Sequence, residues 1–321
     1  MVCKTYPLGE LKEYKYVVIL SEYDGRILLS RHKERTTWET QGGHIEAAET
    51  PFEAAKRELY EESGAIQYEI APFCDYWAGN EETKEGASGV VFTAKITKLG
   101  AITESEMQEV KTFEELPKNL TYPAISTALF ERLRETGMPE EWQSVELWDV
   151  YDKKGRKTGA LKEKEADYLP GEYHLAVEAW VFNRRREILI QQRSWHREIL
   201  PGKWSLTTGR IIAGEDSEQG CVRELKEELG IQVKQKELSF LRRIVREDPL
   251  IWDIYFTLQD VPVEELRLQK EEVIQARWVS FDQFRAYLKR GSVFRYPEID
   301  EVLDAADGWL DDILGKETET S

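Results

Sequence analysis

Two short segments of this chain gather acidic side chains at spacings that suit metal-assisted chemistry. In WETQGGHIEAAETPFEAAKRELYEESG, starting at Trp38, Glu58, Glu61 and Glu62 fall at i, i+3 and i+4, so a helix would crowd their carboxylates on one face. In WSLTTGRIIAGEDSEQGCVRELKEELG, starting at Trp204, Glu224, Glu227 and Glu228 stand in the same relation. Like charges this close cost a bare helix about 0.2–0.5 kcal/mol per pair, unless a cation joins them. Oxygen donors with no thiol or imidazole at ligand spacing favour Mg²⁺, with Mn²⁺ as the alternative, over zinc.

The two segments are copies. Gly43 matches Gly209, Glu49 matches Glu215, and Arg57 matches Arg223, all at one offset of 166 residues. Arg57 and Arg223 are expected to grip Glu49 and Glu215 in bidentate pairs that pin the preceding loop to the helix. Gly43 and Gly209 would let backbone approach a metal or phosphate. A solvated acidic face is the ordinary fate of a single Glu-Glu pair. Recurrence of the whole spaced pattern argues against that here.

The elements that must position these side chains are also legible. Thr50-Pro51-Phe52-Glu53 reads as a capping box with proline at the first helical position, and Asp216 with Gln219 gives a similar start. Phe52, Ala55 and Leu59, and Cys221, Val222 and Leu225, supply the apolar faces. Strand-turn-strand precedes each copy, KYVVIL and RILLSR around Asp24-Gly25, then LAVEAWVF and EILIQQR after Asn183. Further strands (GVVFTAKI; DIYFTL; QARWVSF) and helices (AISTALFERLRE; DQFRAYLKRG) follow. The fold class expected is α+β, twice, with domains at 1–138 and 139–321. The second opens with an extra hairpin, ELWDVYDKKGRKTGALKE, turning around Gly155.

A net charge of −17 disfavours stable nucleic-acid or anionic-membrane binding. No apolar run approaches the ~20 residues of a membrane span. The start of the chain lacks the order of a secretory signal. Cys3, Cys74 and Cys221 stand far apart, so a reducing, cytoplasmic setting is expected.

Each box, Gly43 to Ala65 and Gly209 to Ile231, resembles the Nudix motif: glycine, five residues, glutamate, seven residues, Arg-Glu, apolar, any residue, Glu-Glu, any residue, glycine, apolar. The resemblance implies two Nudix-type α/β/α sandwich domains, each a mixed sheet with helices on both sides, that hydrolyse a diphosphate joined to another group. It assigns metal ligation to Glu58, Glu61 and Glu62 and to Glu224, Glu227 and Glu228, often with a carbonyl from Gly43 or Gly209. Arg57 and Arg223 belong to the same catalytic sets.

Which glutamate serves as base stays open; acids outside the box, Glu104, Glu106, Glu109, Glu271 and Glu272, are further candidates. Arg31, Arg35, Arg193 and Arg197 could meet substrate phosphates, or solvent. Tyr76, Trp77, Trp252 and Tyr255 could stack on a base, or fill a core. His32, His44, His174 and His196 show no ligand spacing.

The first half resembles the MutT branch, pointing to nucleoside triphosphates or related small phosphorylated metabolites as substrate, although Gln41 stands where a proline is common. The second resembles the branch of isopentenyl-diphosphate isomerase, but Thr208 and Arg210 occupy the places of the isomerase's cysteine and histidine. Markers expected about 16 residues beyond the box for ADP-sugars or diadenosine polyphosphates are absent from both halves. Rival readings are a sensor domain regulating a catalytic one, an isomerase in the second half, or an interaction protein. Pairing into a homodimer stays open.

Overall fold

The computed structural model describes residues 1–102, 105–164, 166–197 and 199–319, with side chains to residue 315. Two compact units emerge, Met1–Leu147 with Glu163–Glu165, and Trp148–Lys162 with Ala166–Ser321. Both mix strands and helices, as the period-2 and period-3.6 stretches of the sequence require.

The first unit holds strands β1 (Val2–Tyr6), β2 (Tyr16–Tyr23), β3 (Arg26–His32) and β4 (Gln41–His44), then helix α1 (Pro51–Ser63). It continues with β5 (Ala65–Gly79), β6 (Gly86–Leu99), β7 (Met107–Phe113), α2 (Pro123–Thr136) and the start of β8 (Gln143–Tyr151). Strands lie in the order β7-β3-β2-β6-β5-β8, with β4 beside β2 and β1 beside β5. β2 and β6 run parallel within an otherwise antiparallel arrangement.

Strand alternation divides the core between two faces. Val17 and Ile19 face α1 through Ala54, Ala55 and Leu59. Val18 and Leu20 face the Leu129 and Phe130 of α2. Each face therefore carries one helix. Asp24 and Gly25 both adopt left-handed φ, 54° and 71°, which makes the tight hairpin between β2 and β3.

The second unit takes the rest of β8, then β9 (Lys157–Glu163), β10 (His174–Phe182), β11 (Glu187–Arg193), β12 (Trp204–Ser205), β13 (Thr207–Arg210) and α3 (Ser217–Leu229). β14 (Ser239–Val245), β15 (Leu250–Leu258), β16 (Val273–Ser280), α4 (Phe281–Lys289) and α5 (Ile299–Glu319) complete it. Its order is β12-β11-β10-β15-β14, with β13 on β10 and β16 on β11, and again one parallel pair, β10 with β15. Leu175, Val177 and Ala179 meet Cys221, Leu225 and Leu229 of α3. Ala176, Trp180 and Phe182 meet Phe284 of α4 and Val302, Leu303 and Ala306 of α5.

The hairpin expected at the head of the second half is β8 and β9. Gln143–Glu146 of β8 pair with β5 of the first unit, whereas Trp148 onward belongs to the second. α5 is an addition to the sequence reading. Its buried Ile299, Val302, Leu303, Ala306 and Leu310 keep helical spacing inside a strongly acidic segment. No described helix is long and apolar enough to cross a membrane.

Candidate functional site

The acidic helices begin and end alike. The Thr50 side chain accepts from the Glu53 amide while the Glu53 carboxylate accepts from the Thr50 amide, and Asp216 with Gln219 repeats the exchange. Both helices run for 13 residues and stop at glycines in the left-handed region, Gly64 at φ 73° and Gly230 at φ 74°. Only a residue without Cβ adopts that cap at no steric cost.

One arginine organises each site. The Arg57 guanidinium donates to both oxygens of Glu49, through Nε at 2.8 Å and Nη2 at 3.0 Å, and through Nη2 to the His44 carbonyl at 3.0 Å. Its Nη1 lies between Glu58 at 2.8 Å and Glu61 at 3.2 Å. Arg223 repeats this on Glu215, the Arg210 carbonyl, Glu224 at 2.7 Å and Glu227 at 3.0 Å. The loop, the first box glutamate and the helix are thus locked together twice.

Glycine at the end of the preceding strand completes the platform. A Cβ built on Gly43 would overlap the Glu58 carboxylate, and one on Gly209 would overlap that of Glu224. The last carboxylate of each box lies deeper. Burial pushes Glu62 up to about 8, partly opposed by the 2.8 Å hydrogen bond from the Gly42 amide. Burial, with Glu224 adding repulsion, pushes Glu228 up to about 8 as well. Glu58 is also raised by burial, with Arg57 pulling the other way.

These residues fit a hard divalent cation. Three carboxylates, Glu49, Glu58 and Glu61, converge on one guanidinium with Glu62 deeper behind them, the donors are all oxygen, and the glycine leaves a cradle that any side chain would fill. Among the described residues no side-chain cluster is already gathered in metal-holding geometry. The Arg57 and Arg223 guanidinium groups supply the positive charge between the first two helical glutamates instead.

The deep carboxylates are held differently. In the first unit Gln41 donates to the Ser30 hydroxyl at 2.7 Å, and Ser30 donates to the Glu62 carbonyl at 2.7 Å. In the second, amide and hydroxyl have exchanged strands: Thr207 donates to Gln191 at 3.1 Å, and Gln191 donates to the Glu228 carboxylate at 2.6 Å.

Outside the boxes each site has its own extra acid. Buried Glu39 takes a 2.6 Å bond from Arg35 on Oε2, whereas its Oε1 and the Oε1 of Gln41 are buried without a hydrogen-bond partner. Glu39 adds to the repulsion on Glu62. In the second unit Glu272, bound by Arg197 at 2.6 Å, adds to the repulsion on Glu228. Sequence reasoning named Glu272 and missed Glu39, which is two residues from Gln41 on the strand side facing Ser30; Trp38 before it was the only cue.

The other candidates are engaged elsewhere. Arg31 binds Gln108 and Glu109, Arg193 donates to the Ile199 carbonyl, and Glu106 stands 3.4 Å from His32. Glu271 is exposed, and Glu104 lies outside the described residues. Of the two readings open for Tyr76, Trp252 and Tyr255, the core reading holds: they are buried in the cores, because inward strand positions face the packed helices. Trp77 is half-buried.

A sequence model of the NUDIX domain matches residues 13–133 and 172–300, one match over each platform. The chain belongs to the Nudix hydrolase family. It is 34% identical over 155 residues to an uncharacterized Nudix hydrolase of Listeria monocytogenes, covering 47% of this chain and 90% of that one. It is 34% identical over 158 residues to Nudix hydrolase 3 of Arabidopsis thaliana, covering 45% of this chain but only 20% of the relative's length. Among solved structures, a Bacillus subtilis pyrophosphohydrolase is 25% identical, with 42% of this chain and 91% of that one covered and a TM-score of 0.36. The mixed sheets with helices are the Nudix fold, present in two segments.

Proposed function

We propose that this Nudix protein hydrolyses diphosphate linkages in nucleoside diphosphate derivatives, including nucleoside triphosphates, with Mg²⁺, and that both domains are active. The observation that carries this reading is the duplicated clamp in which one arginine ties loop glutamate, backbone carbonyl and two helical glutamates into a rigid acidic platform. A degenerate sensor domain would have no need to keep every member of that set.

In this reading Glu58, Glu61 and Glu62, and Glu224, Glu227 and Glu228, hold the cation, with the carbonyl of Gly43 or Gly209 alongside. When bound, the cation neutralises the diphosphate and polarises its phosphorus. Arg57 and Arg223 fix the carboxylates before substrate arrives, so little reorganisation is needed on binding. Glu39 in the first site and Glu272 in the second, the carboxylates outside the clamp, are assigned in this reading to accept a proton from the attacking water.

The isomerase reading of the second domain is disfavoured by its side chains. Thr208 and Arg210 offer neither a thiol nor an imidazole beside Gly209. Assaying Glu62→Gln and Glu228→Gln separately and together against a panel of nucleotides with Mg²⁺ tests the proposal. Each single variant is expected to lose a different part of the turnover. A double variant that keeps wild-type turnover of every substrate would overturn it.

A further inference from the structure

The strand that brings Gly209 against Glu224 carries Arg210 next, and alternation sends its side chain to the opposite face of the sheet. There the guanidinium lies over the Trp148 ring, 5.7 Å from its centroid. No carboxylate among the described residues reaches ion-pair distance from it, although the chain has 61 acidic and 44 basic residues. Beside it, His174 is packed between Trp148 at 5.3 Å and Tyr168 at 5.0 Å. Both ring nitrogens of His174 and the Tyr168 hydroxyl are buried with no hydrogen-bond partner.

A largely buried guanidinium that feels Asp248 only from beyond ion-pair distance, and has no carboxylate in contact among the described residues, is costly to keep next to orphaned donors. The first domain keeps no such feature. By strand register its counterparts are His44, stacked on Tyr16 at 4.3 Å, and Tyr14, whose hydroxyl donates to Asp75 at 2.9 Å. Burial lowers His174 to about 3, with Arg210 adding to the effect, so the imidazole is neutral at physiological pH and offers one N–H and one acceptor.

We propose that Arg210, Tyr168 and His174 form an anion pocket of the second domain, which takes a phosphate group of a substrate whose diphosphate lies at the neighbouring acidic helix. The guanidinium supplies the paired N–H donors that match phosphate oxygens, Trp148 holds its plane, and Tyr168 and His174 add single donors. The pocket stands on its own geometry; only the identity of its phosphate as part of the substrate rests on the hydrolase reading.

The chain has four histidines, so the imidazole carbon-proton resonances of the whole protein form a readable set, with His174 assigned by its loss in His174→Gln. Titrating inorganic phosphate into the full chain at constant ionic strength is expected to move the His174 resonance saturably. Arg210→Met should weaken that response at least tenfold, and Arg210→Lys, which keeps charge and fold, should weaken it less. A His174 resonance indifferent to phosphate, or one that responds equally in Arg210→Met, overturns the pocket.

Repeating the titration with α,β-methylene ADP and Mg²⁺ separates the two sources of phosphate. Tighter binding than inorganic phosphate, weakened in Glu228→Gln, assigns the pocket to the substrate. Equal binding with no effect of Glu228→Gln overturns that assignment. Phosphate binding without any turnover would instead sink the hydrolase reading and leave the pocket standing.

Discussion

Gly43 sits where a single Cβ would overlap the carboxylate of Glu58, and Gly209 stands in the same relation to Glu224. In both domains the strand end therefore packs directly against the carboxylate of the first helical glutamate. Gly43→Ala should displace the first platform and Gly209→Ala the second. Each is expected to lower turnover at its own site by about 100-fold and to destabilise its domain by ~1–3 kcal/mol, as overpacking does. Steady-state assays beside urea unfolding check this; normal activity in both variants would show that the close approach is incidental.

Arg57 is asked to reach Glu49, Glu58, Glu61 and the His44 carbonyl at once. A lysine keeps the charge but has one nitrogen, so Arg57→Lys and Arg223→Lys should each cost ~2 kcal/mol of stability and raise the Mg²⁺ concentration needed for half-maximal rate. The expected readout is a lower Tm with a right-shifted Mg²⁺ titration. A lysine variant with unchanged Mg²⁺ dependence would show that the clamp serves stability alone.

These platforms were legible because their geometry is local. Capping boxes, i, i+4 carboxylates and an arginine eight residues from its glutamate all follow from one helix and the loop before it. What lay outside that reach was not legible. Glu39 joins the first site only through the pairing that brings it opposite Ser30 on β3, and the Trp148, His174 and Arg210 group assembles three separate strands. The hydroxyl-amide exchange between Ser30 with Gln41 and Gln191 with Thr207 likewise depends on which strand carries which side chain. The aromatic positions left two readings open because period-2 alternation marks a buried face without naming what covers it. α5 covers much of that face in the second unit.

The two sites differ in their extra acid, so they should respond to different substitutions. Glu39→Gln is expected to lower kcat at the first site by about 100-fold, with KM nearly unchanged, and to spare the second. Glu272→Gln should do the converse. Ser205, the counterpart of Glu39, is buried and carries no charge, so Ser205→Ala should leave both rates within about twofold. Substrates turned over by one site alone provide the readout, and a kcat loss at the wrong site would break the assignment.

Glu62 and Glu228 give the last prediction, a coupling between pH, cation and stability. Burial raises both carboxyls from an ordinary value of 4.5 to about 8, so between those limits the folded chain holds protons that the unfolded chain has released. Stability without metal must then fall as pH rises from about 5 to 8, because ionising these groups in place is unfavourable. A divalent cation reverses the balance by pairing with the ionised forms, and its binding raises apparent stability more at higher pH. Tm measured across this range in chelator should decline, the decline should flatten in the Glu62→Gln, Glu228→Gln double variant, and the Mg²⁺-induced rise in Tm should grow toward pH 8. An Mg²⁺ effect that stayed constant with pH would mean that these two side chains do not meet the ion.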